Sequence, residues 1–240
     1  MNISTFLLFY KNTFNKSSYV FFSICFLGKS TFMMNLLKEN PYHFGNANIS
    51  RILYYFQEEG DTIPELRTFF ADQPHVDARF MKKLPEDVTP LVIPFSTVLI
   101  FDDLENSFSN DKHQAKMLYN LASVFCHHKG LTCFLMLQTT AIMRTEHKLH
   151  NSYTQSTHVA FFREPQIGQG TKNKINNFQI PMKGGQKVFD VYNKWVQNKK
   201  YAYLMLYISP QHNKYMAFSN ILMHDSGPML SHHLSDEEDN

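Results

Sequence analysis

Four consecutive residues, Gly28-Lys29-Ser30-Thr31, have the chemistry to hold a phosphate. Backbone amides at a helix N-terminus attract anions. A lysine there neutralises phosphate charge, and a serine hydroxyl can ligate Mg2+. The full pattern, G-x-x-x-x-G-K-[ST], asks for a first glycine where Ser23 stands. The loop between reads Ile24-Cys25-Phe26-Leu27, bulky where small residues allow close approach to phosphate. The competing reading of the four residues is a chance match at a helix start.

Asp102 and Asp103 close the apolar run Val98-Leu99-Ile100-Phe101. An aspartate ending a buried strand is the usual Mg2+ partner of such a serine. A second acid beside it can position and polarise an attacking water. The plainer alternative is an Asp-Asp pair that caps a turn. Gln138 follows the run from Leu131 to Leu137, where a polar side chain can sense a γ-phosphate or simply face solvent. Arg144 and Arg163 are candidates for an arginine finger, or equally for a surface salt bridge or a DNA contact. Cys126-His127-His128 with Cys133 lacks the spacing of a zinc site and reads as buried structural cysteine beside helix-end histidines.

These residues need elements to position them. Residues 28–39 read as an amphipathic helix through Phe32, Leu36 and Leu37, with Pro41 just past its end. Residues 50–56 suit a strand. Residues 57–95 are mixed, with Pro64, Pro74, Pro85, Pro90 and Pro94 breaking any long element. The run 97–101 is a buried parallel strand. Residues 111–127 carry apolar positions at helical spacing, 131–137 and 158–162 are further strands, and 166–185 is a polar loop that we expect to be mobile. Val188, Val191, Tyr192 and Trp195 mark a helix, and 202–208 with 215–222 form a C-terminal hairpin. Strands alternating with helices predict a parallel α/β sheet.

The 240 residues are 43% hydrophobic, enough for one sizeable core and short for two domains. The net charge of +2 does not by itself argue for a nucleic-acid partner. Three cysteines, Cys25, Cys126 and Cys133, fit a reducing compartment. No apolar run reaches the ~18 residues of a membrane span, and the N-terminus lacks the charged start and cleavage site of a signal peptide, so secretion is not expected.

In order, the motifs resemble the packaging-ATPase branch of the FtsK–HerA superfamily, found in poxviruses, other large DNA viruses and Polinton-like elements. The match runs through Gly28-Lys29-Ser30-Thr31-Phe32, Arg51-Ile52-Leu53-Tyr54-Tyr55, Leu84-Pro85-Glu86-Asp87 and Phe101-Asp102-Asp103-Leu104. It continues with His127-His128-Lys129-Gly130-Leu131, Gln138 and Phe161-Phe162-Arg163-Glu164-Pro165. It covers roughly residues 28–222. The resemblance implies a P-loop NTPase with a RecA-like parallel sheet flanked by helices and a C-terminal β-hairpin. It implies ATP and Mg2+ as cofactors, with Gly28, Lys29, Ser30 and Thr31 binding nucleotide and Ser30 and Asp102 holding Mg2+. Asp103 would be the catalytic acid and Gln138 the sensor. Expected partners are duplex DNA, further copies in a homo-oligomeric ring and capsid proteins, without a membrane. The expected location is the nucleus or cytoplasm, at a viral assembly site.

Residues 1–27 depart from this pattern: they are rich in Phe, Asn, Ser and Lys and hold no Asp or Glu. We read them as an atypical segment outside the native start. The run 21–27 can be encoded by a pyrimidine-rich stretch of the kind found upstream of an exon acceptor. The other explanation is a decayed or domesticated copy, in which a strand at 19–22 still serves structurally. Residues 28–222 form the expected ATPase domain, and 223–240 an acidic, disordered tail. Three functions follow: an ATP-driven DNA translocase, a catalytically impaired relic or scaffold of the same fold, and a small-molecule kinase, which lacks an acceptor-site signature.

Overall fold

Apolar residues run without alternation through Ile52-Leu53-Tyr54-Tyr55-Phe56 and Val98-Leu99-Ile100-Phe101, and both segments are buried on both faces. Such runs form interior strands of a parallel sheet covered by helices. The computed structural model describes residues 20–24, 28–39, 43–44, 47–137, 158–162, 188–196, 203–207, 216–219 and 230–233.

Their order along the chain begins with β1 (Val20–Ile24) and helix α1 (Lys29–Glu39). A small ribbon of β2 (His43–Phe44) and β3 (Ala47–Asn48) leads to β4 (Arg51–Phe56). Helix α2 (Thr62–Ala71) and β5 (Asp77–Met81) precede β6 (Thr97–Asp102). Then come α3 (Glu105–Asn110), α4 (Lys112–Asn120), a π-helical turn (Leu121–Phe125) and α5 (Cys126–Lys129). Strands β7 (Thr132–Leu137) and β8 (His158–Phe162), helix α6 (Val188–Trp195), β9 (Tyr203–Tyr207), β10 (Met216–Ser219) and β11 (Leu230–His233) complete it.

The main sheet runs β11-β10-β9-β8-β1-β7-β6-β4-β5. From β8 to β5 the neighbours are parallel, and β9, β10 and β11 add antiparallel ribs at one side. This is the expected α/β architecture: a RecA-like parallel sheet of the P-loop NTPase type, flanked by helices. The antiparallel β9–β10 pair stands where the C-terminal hairpin was expected.

Two cores sit on the two faces. On one, Phe32, Met33, Leu36 and Leu37 of α1 pack with Ile63, Leu66 and Phe70 of α2 over Ile52, Tyr54, Val98 and Ile100. On the other, Leu118, Leu121 and Cys126 of the α4–α5 segment and Tyr192 of α6 cover Leu53, Leu99, Phe101 and Leu135. A fully buried large apolar side chain contributes about 1.5–3 kcal/mol, so the four core residues of α1 alone hold that helix firmly on the sheet. Phe32 also meets the rings of Phe162 and Tyr203 edge-on, at 5.5 and 5.0 Å between centroids, tying the start of α1 to β8 and β9.

The structure differs from the sequence expectation at three places. The proline-rich stretch 57–95 contains a full helix, α2. Pro64 lies in its first turn, where no amide hydrogen is needed for a helical bond, and Ile63, Leu66 and Phe70 supply the buried stripe. The expected helix over 111–127 is interrupted by the π turn at Leu121–Phe125. The tail expected to be disordered over 223–240 contains β11, paired antiparallel with β10 through Met216↔His233. Leu230 to His233 carries no acidic residue, so nothing in its charge opposes adding it to the edge, whereas the acidic run 236–239 lies outside the described residues. The loop expected over 166–185 also lies outside them. No described helix is long and apolar enough to cross a membrane.

Candidate functional site

Parallel strands deliver their carboxyl ends to one rim of the sheet, where ligands of open α/β folds bind. Here β1 leads towards that rim, and α1 begins just past it. Gly28 has φ of 102°, a conformation open to glycine and strained for other residues. Its carbonyl oxygen accepts the amide of Phe32 at 2.8 Å, which makes Gly28 the entry residue of the helix. The first amides of α1 therefore lack partners within the helix and form an anion-attracting end.

Strand β7 lies between β1 and β6, so the strand that ends in Asp102 is one strand removed from β1, the strand that precedes α1. Asp102 is the last residue of β6, on the face covered by α1. Asp103 follows in the left-handed region, φ 56°, while its amide still donates to Met136 O at 3.0 Å. Aspartate is among the few non-glycine residues that adopt this conformation readily. The turn sends the two carboxylates to different partners. Lys29 Nζ donates to Asp103 Oδ1 in an ion pair, with the lysine only 5% exposed and the aspartate 30%. Ser30 Oγ donates to Asp102 Oδ2 at 3.2 Å.

A second donor to Asp102 has no counterpart in the sequence expectation. Tyr54 on β4, wholly buried, donates its hydroxyl to the same Oδ2 at 2.8 Å. Tyr54 pairs in register with Ile100, two residues before Asp102 and on the same face. A tyrosine spans the diagonal between neighbouring strands. Its signal in the sequence was one hydroxyl on the Ile52/Tyr54/Phe56 face of an apolar strand. A buried phenol without a partner costs about 1–3 kcal/mol, a penalty that the bond to Asp102 spares this hydroxyl.

Burial pushes the Asp102 carboxyl up to about 6, and the neighbouring Asp103 charge adds to the rise. Hydrogen bonding from Tyr54, the Lys29 charge and the Ser30 hydroxyl pull the other way. The Tyr54 phenol is held well above its ordinary range by burial and by Asp102. Asp102 Oδ1 is buried and has no hydrogen-bond partner. An orphaned buried carboxylate oxygen beside a serine hydroxyl suits a hard divalent cation and its water shell.

Of the residues expected at the site, the structure brings Gly28, Lys29, Ser30, Thr31, Asp102 and Asp103 to one rim of the sheet. Gln138, Arg144 and Arg163 lie outside the described residues. Cys126 and Cys133 are buried in the core, as their structural reading expects, and burial with the neighbouring Cys133 pushes the Cys126 thiol up.

The fold is that of an α/β domain with a RecA-like parallel sheet flanked by helices. No family model matches the chain, and no curated protein matches it. Among solved structures, the cytoplasmic domain of EssC is similar at 17% identity and a TM-score of 0.44, over 95% of this chain and 42% of that one. A protein from Pyrococcus horikoshii OT3 is similar at 10% identity and a TM-score of 0.39, over 67% of this chain and 87% of that one. The chain thus spans less than half the length of the EssC chain it matches.

Proposed function

We propose that the chain hydrolyses ATP and uses the energy to move duplex DNA, as its resemblance to viral packaging ATPases implies. The observation that carries the ATPase reading is the paired contact of adjacent residues: Lys29 with Asp103, and Ser30 with Asp102. Each pair joins the start of α1 to the end of β6. The phosphates of ATP would lie on the amides of α1, with Lys29 neutralising their charge. Ser30 and Asp102 would hold Mg2+, which would neutralise charge on the β- and γ-phosphates. Asp103 would orient a water and accept its proton as the water oxygen bonds to the γ-phosphorus. The bond to the bridging oxygen breaks, leaving ADP and phosphate.

Duplex DNA, a ring of identical subunits, capsid proteins and a nuclear or cytoplasmic assembly site belong to the same proposal and rest on the resemblance. A second reading, a nucleotide-free scaffold of the same fold, is favoured by Ile24-Cys25-Phe26-Leu27, which is bulky where a phosphate cradle is small, and by Ser23, which is strand rather than loop.

Phosphate release by the purified chain, with and without duplex DNA and beside Lys29→Ala, tests both. DNA-stimulated turnover lost in the variant supports the motor. Turnover insensitive to both DNA and Lys29→Ala overturns it, and cooperative folding without ATP binding supports the scaffold.

A further inference from the structure

Asp102 receives two hydroxyl donors on one oxygen and none on the other. Ser30 is part of the motif that binds nucleotide, but Tyr54 is not: it belongs to β4, across the sheet from β1. Its ring is packed among the apolar side chains of the α1–α2 face, and it tilts against Phe80 at 5.8 Å and meets Phe56 at 6.4 Å between centroids. That packing fixes where the hydroxyl lies, independently of any ligand.

We propose that Tyr54 is a positioning residue for the divalent cation: its hydroxyl fixes the Asp102 carboxylate through Oδ2, so that Oδ1 stays uncommitted for the cation or its bound water. The inference rests on the nucleotide-binding reading above. A carboxylate with one anchored oxygen loses the rotation that would otherwise let both oxygens turn to Ser30 or Lys29. Outer hydrogen bonds of this kind typically change metal affinity 10- to 100-fold. The purely structural alternative is that Asp102 only satisfies a buried phenol. In that case losing the hydroxyl changes stability but not the response to Mg2+.

The test is Tyr54→Phe in the full chain, with Tyr55→Phe as the control on the opposite face of the same strand. Binding of a fluorescent ADP analogue is titrated in EDTA and against Mg2+. We expect Tyr54→Phe to need about tenfold more Mg2+ for half-maximal effect, with affinity in EDTA within about twofold of wild type and the control unchanged. Should Tyr54→Phe not fold, Tyr54→Met carries the same expectation. Mg2+ dependence equal to wild type in a folded variant overturns the positioning role while leaving the nucleotide site intact. Nucleotide binding absent from the wild-type chain overturns the underlying reading instead.

Discussion

Lys29 and Asp103 lie 74 positions apart in the chain, yet they form an ion pair at the rim of the sheet, with the lysine almost wholly enclosed. The partner of the cation is the residue expected to activate water. Each therefore occupies the other, and on the proposed reading phosphate would compete with Asp103 for Lys29.

Asp103→Asn separates the two roles. Leaving an enclosed ammonium without its counter-charge destabilises the free protein, by about 1–2 kcal/mol once the partial exposure of Asp103 is discounted. Bound phosphate restores the counter-charge. Thermal unfolding with and without Mg·ATP should then show a larger ligand-induced rise in Tm for the variant than for wild type, while phosphate release falls at least about 100-fold. Equal ligand shifts would mean that the ion pair does not oppose binding.

Asp102 gives the fold a pH dependence of its own. Its carboxyl sits near 6 in the folded chain and about 3.9 when unfolded. The folded state binds the extra proton between those values. Its contribution to stability is therefore fully present below about pH 4 and is lost as pH rises through 6. Two pH units correspond to about 3 kcal/mol. Asp102→Asn, neutral at every pH, should stabilise the free chain by up to that amount at pH 7 and by little at pH 4, read from urea denaturation at both. Equal gains at the two pH values would show that the carboxyl is not raised.

Gly130 closes α5 with φ of 58°, and a Cβ there would stand 2.2 Å from Phe95 Cδ1. Phe95 itself has φ of 61° and is 63% exposed, so its ring can swing away. Gly130→Ala should cost about 1–2 kcal/mol, mostly the left-handed backbone. Adding Phe95→Gly should recover about 1 kcal/mol by removing both the ring and a second left-handed side chain. Denaturant midpoints of the two single variants and the double variant check this, and strict additivity would deny the contact.

Tyr55 faces away from Tyr54, into the opposite core, and its hydroxyl is buried without a partner. Tyr55→Phe should be neutral or stabilising by up to about 1 kcal/mol. A loss above about 1 kcal/mol in chemical denaturation would reveal a partner for that hydroxyl.

The sheet was legible wherever both faces of a strand are buried, because β4, β6 and β7 read as unbroken apolar runs. The helix α1 was legible from Phe32, Leu36 and Leu37 at helical spacing. Lys29, Ser30, Asp102 and Asp103 could be named because residue types with phosphate and metal chemistry ended or began such elements. Helix α2 was obscured by counting Pro64 as a breaker when its place in the first turn makes it compatible. Strand β11 was obscured because the acidic run beside it dominated the composition of the tail. Tyr54 could not be assigned, since its role depends on strand order: β4 lies beside β6, and no local pattern encodes that adjacency.

Strand β1 hydrogen-bonds to β7 and β8, whose residues begin more than a hundred positions later. Its pairing is among the most sequence-distant in the fold, and such contacts form slowly. During synthesis at 5–20 residues per second, Val20-Phe21-Phe22 emerges without its sheet partners for roughly ten seconds. In that interval the strand can meet other nascent chains, or a chaperone, before its own partners exist. The rim that carries Lys29, Ser30, Asp102 and Asp103 is thus assembled only once most of the domain has left the ribosome, which ties formation of the candidate site to completion of the sheet.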